Sequence, residues 1–316
     1  VLPFEVVPVL IAVAIIGFVA GHSSGKSGSS ENQSQKGTDA AIGYPAGWRM
    51  AKIAPGIPQL SVANVVVLAP NGNAERAGLM SGGLPSGEPA PLPRRFVATL
   101  HRPPTPQIVN LVETQAYKYS RLSIPGYRRE VTLFVIPNPG ARPKLFACYA
   151  PPGSLAEMRE CEASVATVTA VGEPQAYDLA PDPSYAHAIS ATVSTLDARR
   201  AALKRELGPD VTVAAARRLA AALAEGFAKA AAALDRLHPP AVAGPVHAVL
   251  TDATRRAHDG YLALVAAVDE RDVTHYEAAQ KDISRAEADV DSALASFVLL
   301  GYGKTLQTSS EAASAS

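Results

Sequence analysis

Hydrophobic and polar positions follow five successive patterns along the chain. The first twenty residues, VLPFEVVPVLIAVAIIGFVA, carry one charge, Glu5, and run unbroken and apolar from Val9 to Ala20. A bilayer core takes ~17 to 25 mostly apolar helical residues, so this spacing predicts an N-terminal transmembrane helix over residues 1–20. A cleaved signal peptide competes with it, with Val19-Ala20-Gly21 as the small-residue site. The chain opens at Val1 without a methionine, so its natural start is expected upstream. Residues 21–40, GHSSGKSGSSENQSQKGTDA, have almost nothing to bury and read as a flexible Ser/Gly linker. Short β-rich runs punctuated by proline fill 41–180, helical periodicity fills 181–303, and 304–316 reads as a disordered tail.

In the third region the pattern predicts strands over 41–44, 61–68, 76–80, 108–113, 115–122, 130–136 and 144–149. Pro70-Asn71-Gly72-Asn73 predicts a hairpin turn, because Asn-Gly supplies the positive-φ pair that tight turns require. EVTLFVI at 130–136 is nearly continuous in apolar and β-branched residues and reads as an interior strand. LPRRFVATL at 92–100 fits a short helix with Phe96, Val97 and Leu100 on one face. Residues 154–168 read as a helix capped by Ser154, with Glu157 three residues on. The expected fold class is α+β: an antiparallel sheet with packed helices, followed by an all-α antiparallel bundle.

From Ser184 onward the prolines retreat to Pro209, Pro239, Pro240 and Pro245, the expected interhelical turns. The first helix, about 183–207, shows Ile189, Val193, Leu196, Leu203 and Leu207 on one face, with Arg200 in the same stripe. The second, 213–237, is capped by Thr212 and shows Leu219, Leu223, Phe227, Leu234 and Leu237. The third, 246–268, offers Val249, Leu250, Ala253, Ala257, Leu264 and Val268, and the fourth runs from the cap Asp272 to Leu300. A four-helix bundle or paired helical hairpins follow. Arg199, Arg200, Lys204, Arg205, Arg217 and Arg218 face acidic positions on the fourth helix, among them Glu277, Asp282, Glu287, Asp289 and Asp291. Such faces set helix order more than stability.

Twenty-nine basic and 29 acidic residues leave a formal net charge of zero, so no global field favours nucleic acid as a partner. The two cysteines, Cys148 on a strand and Cys161 on the helix that folds back, suit one disulfide, with two buried free thiols as the alternative. A bridge implies an oxidising compartment and agrees with an exported chain. Gly21-His22-Ser23-Ser24-Gly25 matches a nucleophile elbow, and GHSSGKS nearly matches a phosphate loop. Neither has the strand and helix that give such strings their chemistry. Glu113, Glu130 and Glu173 have no partner at catalytic spacing. His238 is expected at a helix C-terminus, His247 and His258 on exposed faces and His275 in a first turn. No catalytic, cofactor-binding or metal-ligating residue is expected.

Gly43-Tyr44-Pro45-Ala46-Gly47-Trp48, an opening strand ending in Pro-x-Gly-Trp, precedes paired strands, a helix, further strands and a closing helix. Over residues 41–172 this order resembles the PsbP-like family, including its LpqN-type envelope members. The resemblance implies a non-enzymatic accessory or binding module. In it Trp48 is a core anchor or a ligand-stacking aromatic. Glu75-Arg76-Ala77-Gly78-Leu79 resembles a short segment of PDZ domains, without their carboxylate-binding loop. The Ala/Arg/Pro-rich style is also similar to that of envelope proteins from high-GC actinobacteria.

The expectation is therefore a single-pass protein of the cell membrane, its bulk extracytoplasmic, acting as a binding or scaffolding protein of the envelope. Its partners would be the membrane, through the N-terminal helix, and an envelope protein or small ligand. The alternatives are an envelope hydrolase with a site in the α+β region, or an extracytoplasmic sensor or adaptor with a PDZ-like or PsbP-like ligand module.

Overall fold

A computed structural model of the chain describes residues 40–139, 141–170, 177–206 and 212–303. The apolar run 1–20, residues 21–39 with both catalytic-looking strings, Glu173, Leu207 and the tail 304–316 lie outside the described residues. The fold is α+β: an antiparallel sheet followed by helices. No helix among the described residues is long and apolar enough to cross a membrane.

The strands are β1 (Ala40–Ala41), β2 (Trp48–Met50), β3 (Ala63–Pro70), β4 (Gly78–Gly83), β5 (Gln107–Asn110), β6 (Gln115–Ser123), β7 (Glu130–Ile136), β8 (Lys144–Ala150) and β9 (Thr169–Ala170). Seven form one antiparallel sheet in the order β2-β3-β4-β8-β7-β6-β5, while β1 pairs separately with β9. The strands β2 and β9, three and two residues long, are too short to leave a periodic signal in the sequence. Residues 130–136 form an interior strand, and every residue of β7 except its two ends is buried. Both faces of the sheet are covered, which is why β7 and β8 read as apolar runs rather than alternations.

One face carries Leu68, Leu79, Phe134, Phe146, Cys148 and Trp48, and packs under α2 (Leu155–Ala166). Cys148 and Cys161 are joined there, with Cα atoms 5.7 Å apart. Their separation of 13 residues makes the bridge worth ~3 kcal/mol in the chain-entropy account. Ser154 stands at the N-cap of α2, but its side chain makes no cap bond, and Glu157 pairs instead with Arg76 at 3.4 Å. The expected capping box is thus replaced by an ion pair to the β3–β4 connection.

The other face carries Val67, Met80, Tyr117, Tyr119, Leu133, Val135, Leu145, Ala147 and Tyr149. A register shift between Tyr119 and Leu122, with Arg121 at φ 51°, lets Tyr117, Tyr119 and then Leu122 point the same way. Gly78 lies directly opposite Tyr149, and a Cβ there would fall 2.6 Å from the Tyr149 hydroxyl and 2.7 Å from the Leu68 carbonyl oxygen. The Asn-Gly bend forms as expected, with Asn71 at φ 53° and Gly72 at φ 74°. The connection from β3 to β4 is nevertheless longer than a two-residue hairpin, since Asn73 Oδ1 accepts from Glu75 N in a second turn.

The second face is closed by the segment bearing α1 (Arg94–Val97), through Leu92 and Phe96, and by one end of four helices. These are α3 (Pro183–Glu206), α4 (Val213–Leu234), α5 (Gly244–Glu270) and α6 (Val273–Leu299). Thr212 and Asp272 cap α4 and α6 through their side chains. Ile189, Leu234, Val246, Leu250, Phe297 and Tyr302 join the same cluster as the sheet tyrosines, so sheet and helices share one core. The Tyr119 hydroxyl donates to the Leu299 carbonyl at 2.7 Å across 180 residues of sequence.

Farther from the sheet the helices have a second core, with Leu196, Leu223, Phe227, Ala257, Tyr261 and Ile283. The contacts Arg217–Asp269, Ala224–His258 and Asp235–Arg255 run α4 and α5 in opposite directions. Gly260 lets α6 approach closely, since a Cβ would lie 2.9 Å from Ile283 Cγ1. Arg200 contacts Glu287 at 3.1 Å and Asp197 at 3.1 Å, while its guanidinium lies over the Phe227 ring at 5.7 Å. Glu287 also accepts from the Tyr261 hydroxyl at 2.8 Å. The basic first helix therefore meets the acidic fourth through Arg200, whereas Arg199 turns to Glu225 on α4.

Arg200 and Glu287 are only 15% and 14% exposed, so removing one leaves the other desolvated and poorly compensated. Arg200→Met is expected to cost about 3 kcal/mol in urea unfolding, and Arg200→Met combined with Glu287→Leu to recover most of it. Equal losses in the single and double variants would show that the pair does not act as a unit.

Candidate functional site

A cleft of about 420 Å³ opens where the sheet meets the helices. Three stretches of chain converge on it. The segment after β4 brings Ser86, Glu88, Pro89 and Pro91, and the β7–β8 connection brings Pro137, Asn138, Pro139 and Pro143. The start of α5 and the end of α6 bring Val242, Pro245, Val249 and Leu300. The first two stretches are pinned together by Leu84 N donating to the Pro143 carbonyl at 2.9 Å.

Six prolines thus line one small cleft, and each has a fixed φ and no backbone donor. The walls are consequently apolar and poor in backbone N–H groups. Polar groups are few: the Ser86 hydroxyl, the half-buried Glu88 carboxylate and the Asn138 amide. A largely apolar, preformed recess with a few polar groups, at the seam between two structural units, is the usual form of a binding site. Val249 was expected to face the helical core, yet it is 36% exposed and lines this recess.

An aromatic cluster adjoins the cleft. Tyr185 and Phe297 each meet Tyr302 edge-on, at 5.6 and 5.7 Å between ring centres. His247, two residues from both Pro245 and Val249, is 9% exposed rather than on an exposed face. Its Nδ1 lies 3.0 Å from the Tyr185 hydroxyl, and the ring also bonds the backbone of Leu234. Burial pushes the His247 pKa down from its ordinary value, and burial likewise pushes the Tyr185 hydroxyl up. His258 is half-buried, with Nδ1 2.9 Å from the Ala224 carbonyl, and His275 sits in the first turn of α6 against Asp272. No group of three or more His, Cys, Asp or Glu side chains among the described residues could hold a metal.

Trp48 is 4% exposed, packed with Leu68, Leu79 and Phe146 on the α2 face, and is not among the residues lining the cleft. Cys148 and Cys161 form their bridge on that same face. None of these three residues, singled out in the sequence, therefore lines the cleft. The signal that could have found it was the clustering of prolines at 89–91, 137–143 and 239–245, which sequence reasoning uses only as punctuation.

A second open depression lies at the opposite strand ends. It runs from Arg49, Met50, Lys52 and Ile53 past the Asn71–Glu75 bend, about 760 Å³, and on to Arg76, Tyr127, Arg128 and Arg129, about 630 Å³. Arg129 donates to the Glu75 carbonyl and stacks on Tyr127 at 5.4 Å and Tyr149 at 5.8 Å.

No protein-family model matches the chain, and no curated protein matches it. A solved structure from Bacteroides thetaiotaomicron VPI-5482 is similar at 12% identity and a TM-score of 0.28, over 74% of this chain and 75% of that one. A likeness of that size carries no argument about fold or function.

Since His247 is held neutral when folded, the unfolded chain binds more protons than the folded one once pH falls below ~6.5. Its contribution to stability is thus fully present above that pH and is lost as pH falls through the lowered folded value. His247→Gln should shrink the difference in urea midpoint between pH 7.5 and pH 5. An unchanged difference would show that His247 does not titrate in that window.

Proposed function

We propose that the chain is a membrane-tethered, extracytoplasmic binding or scaffolding protein of the cell envelope, without enzymatic activity, and that the proline-walled cleft seats its ligand or partner. The cleft carries this reading. Its walls are held before any ligand arrives, so little ordering entropy is lost on binding. Its chemistry suits an apolar group or extended peptide whose few polar atoms can meet Ser86, Glu88 and Asn138.

Compartment and tether rest on other features. The Cys148–Cys161 bridge suits an oxidising environment, and the apolar run at 1–20 suits a single-pass anchor followed by a polar linker. The PsbP-like reading of residues 41–172 is supported by an antiparallel sheet closed by a helix after its last long strand.

The shared core argues against testing the sheet and helices as separate pieces. A photo-crosslinking side chain should instead be placed in the full chain at Val249, in the cleft, or at Leu262, 47% exposed and outside the cleft lining on α5. Irradiation in native envelope membranes is expected to give a discrete adduct from position 249 and none from 262. No adduct at 249, or the same adducts from both positions, would overturn the assignment of the cleft.

A further inference from the structure

The geometry points to the depression around Arg49, Lys52 and Ile53 as a docking surface for the anionic phospholipid face of a bilayer. This inference rests on the membrane-tethered reading for its setting, but its physical basis is separate. The depression is lined by five cations, Arg49, Lys52, Arg76, Arg128 and Arg129, against one lining carboxylate, Glu75, with Arg76 also paired to Glu157 at its edge, in a chain whose formal net charge is zero. The cations come from three segments, gathered by the β2–β3 and β3–β4 pairings and the β6–β7 connection.

The same surface presents aliphatic groups to solvent. Ile53 is 79% exposed, the most exposed large hydrophobic side chain among the described residues, and Met50 is 55% exposed. Ile53 projects from a short stretch held at both ends, by β2 on one side and by buried Ile57, bridged to Leu60, on the other. Apolar tips ringed by cations are what a lipid interface rewards, because the tips enter the acyl boundary while the cations meet headgroup phosphates. A soluble anion would gain nothing from Ile53.

The path of the chain agrees with this occupant. The apolar run ends at Ala20, and the twenty residues from 21 to 40 span at most ~70 Å even when fully extended. Eight residues after Ala40 the chain enters β2, and the Gly47 carbonyl accepts from Asn71 N at 2.8 Å, against the bend that lines the depression. An anchor in the bilayer would thus deliver this face to the lipid at high effective concentration. Gly78, Glu130 and Ala150 mark the strand ends at the cationic surface, while Gly83, Ile136 and Lys144 mark the ends at the proline cleft. About six strand residues separate the two, so docking would hold the cleft ~20 Å farther from the membrane, open to the outside.

The test uses the full chain with an environment-sensitive fluorophore on Ile53→Cys, both native cysteines being in the disulfide, and a control label on Leu262→Cys. Each is mixed with phosphatidylcholine vesicles or with vesicles containing 30% phosphatidylglycerol. Flotation reports the anchor and emission reports docking. The label at 53 is expected to shift to the blue and brighten several-fold with anionic vesicles only, and the label at 262 in neither. In the Arg49→Glu, Lys52→Glu, Arg128→Glu variant the vesicle concentration giving half the response should rise about a hundredfold or more. Flotation on both vesicle types with a silent position 53 overturns docking and leaves the anchor standing. A response at 53 with anionic vesicles, without flotation on neutral ones, supports docking and overturns the anchor. The same emission change with inorganic phosphate alone, or an equal response at 262, overturns the bilayer as the occupant.

Discussion

The buried Tyr119 hydroxyl donates to a carbonyl that belongs to the last turn of the last helix. That bond is the polar centre of a larger constraint. The interior strands β7 and β8 are buried on both faces, so the sheet needs two covers. The first cover, α2, is local and is tied by the disulfide to the strand that precedes it. The second comes from far along the chain, from Tyr185, Val246, Phe297 and Tyr302. Burial of each such side chain is worth ~1.5 to 3 kcal/mol, so neither unit keeps its stability without the other.

The seam created by that second cover is also where the cleft forms. Loops at one end of the sheet and the start of α5 meet there with their prolines inward, which fixes the walls but leaves room between them. The connections at the other end of the sheet carry arginine, lysine and exposed aliphatic groups instead. One sheet thus has two chemically distinct ends, with the strand length as the spacer between them.

Much of the framework was legible in the sequence. The helices α3 to α6 begin at the expected caps or within a few residues of them, because alanine-rich helical periodicity and proline boundaries are strong local signals. The strand at 130–136 was visible for the same local reason. What could not be read was long-range. Arg49, Arg76 and Arg129 share a surface only because the β2–β3 and β3–β4 pairings and the β6–β7 connection bring them there. His247 sits on a helix with mixed neighbours, and its burial follows from the approach of Tyr185, 62 residues away. Val249 has core-like spacing on α5, but the prolines opposite it leave a recess. Residues 41–172 hold the sheet, α1 and α2, and the four helices that complete the cover of the second face lie beyond them.

The 180 residues between Tyr119 and Leu299 also set a clock. Chains are made at ~5 to 20 residues per second, so β6 is complete roughly 10 to 35 s before its covering partner leaves the ribosome. During that interval the face bearing Tyr117, Tyr119 and Leu133 has no cover from the helices. With the sheet first and the helices last along the chain, that face is therefore the last part of the sheet to gain its full cover.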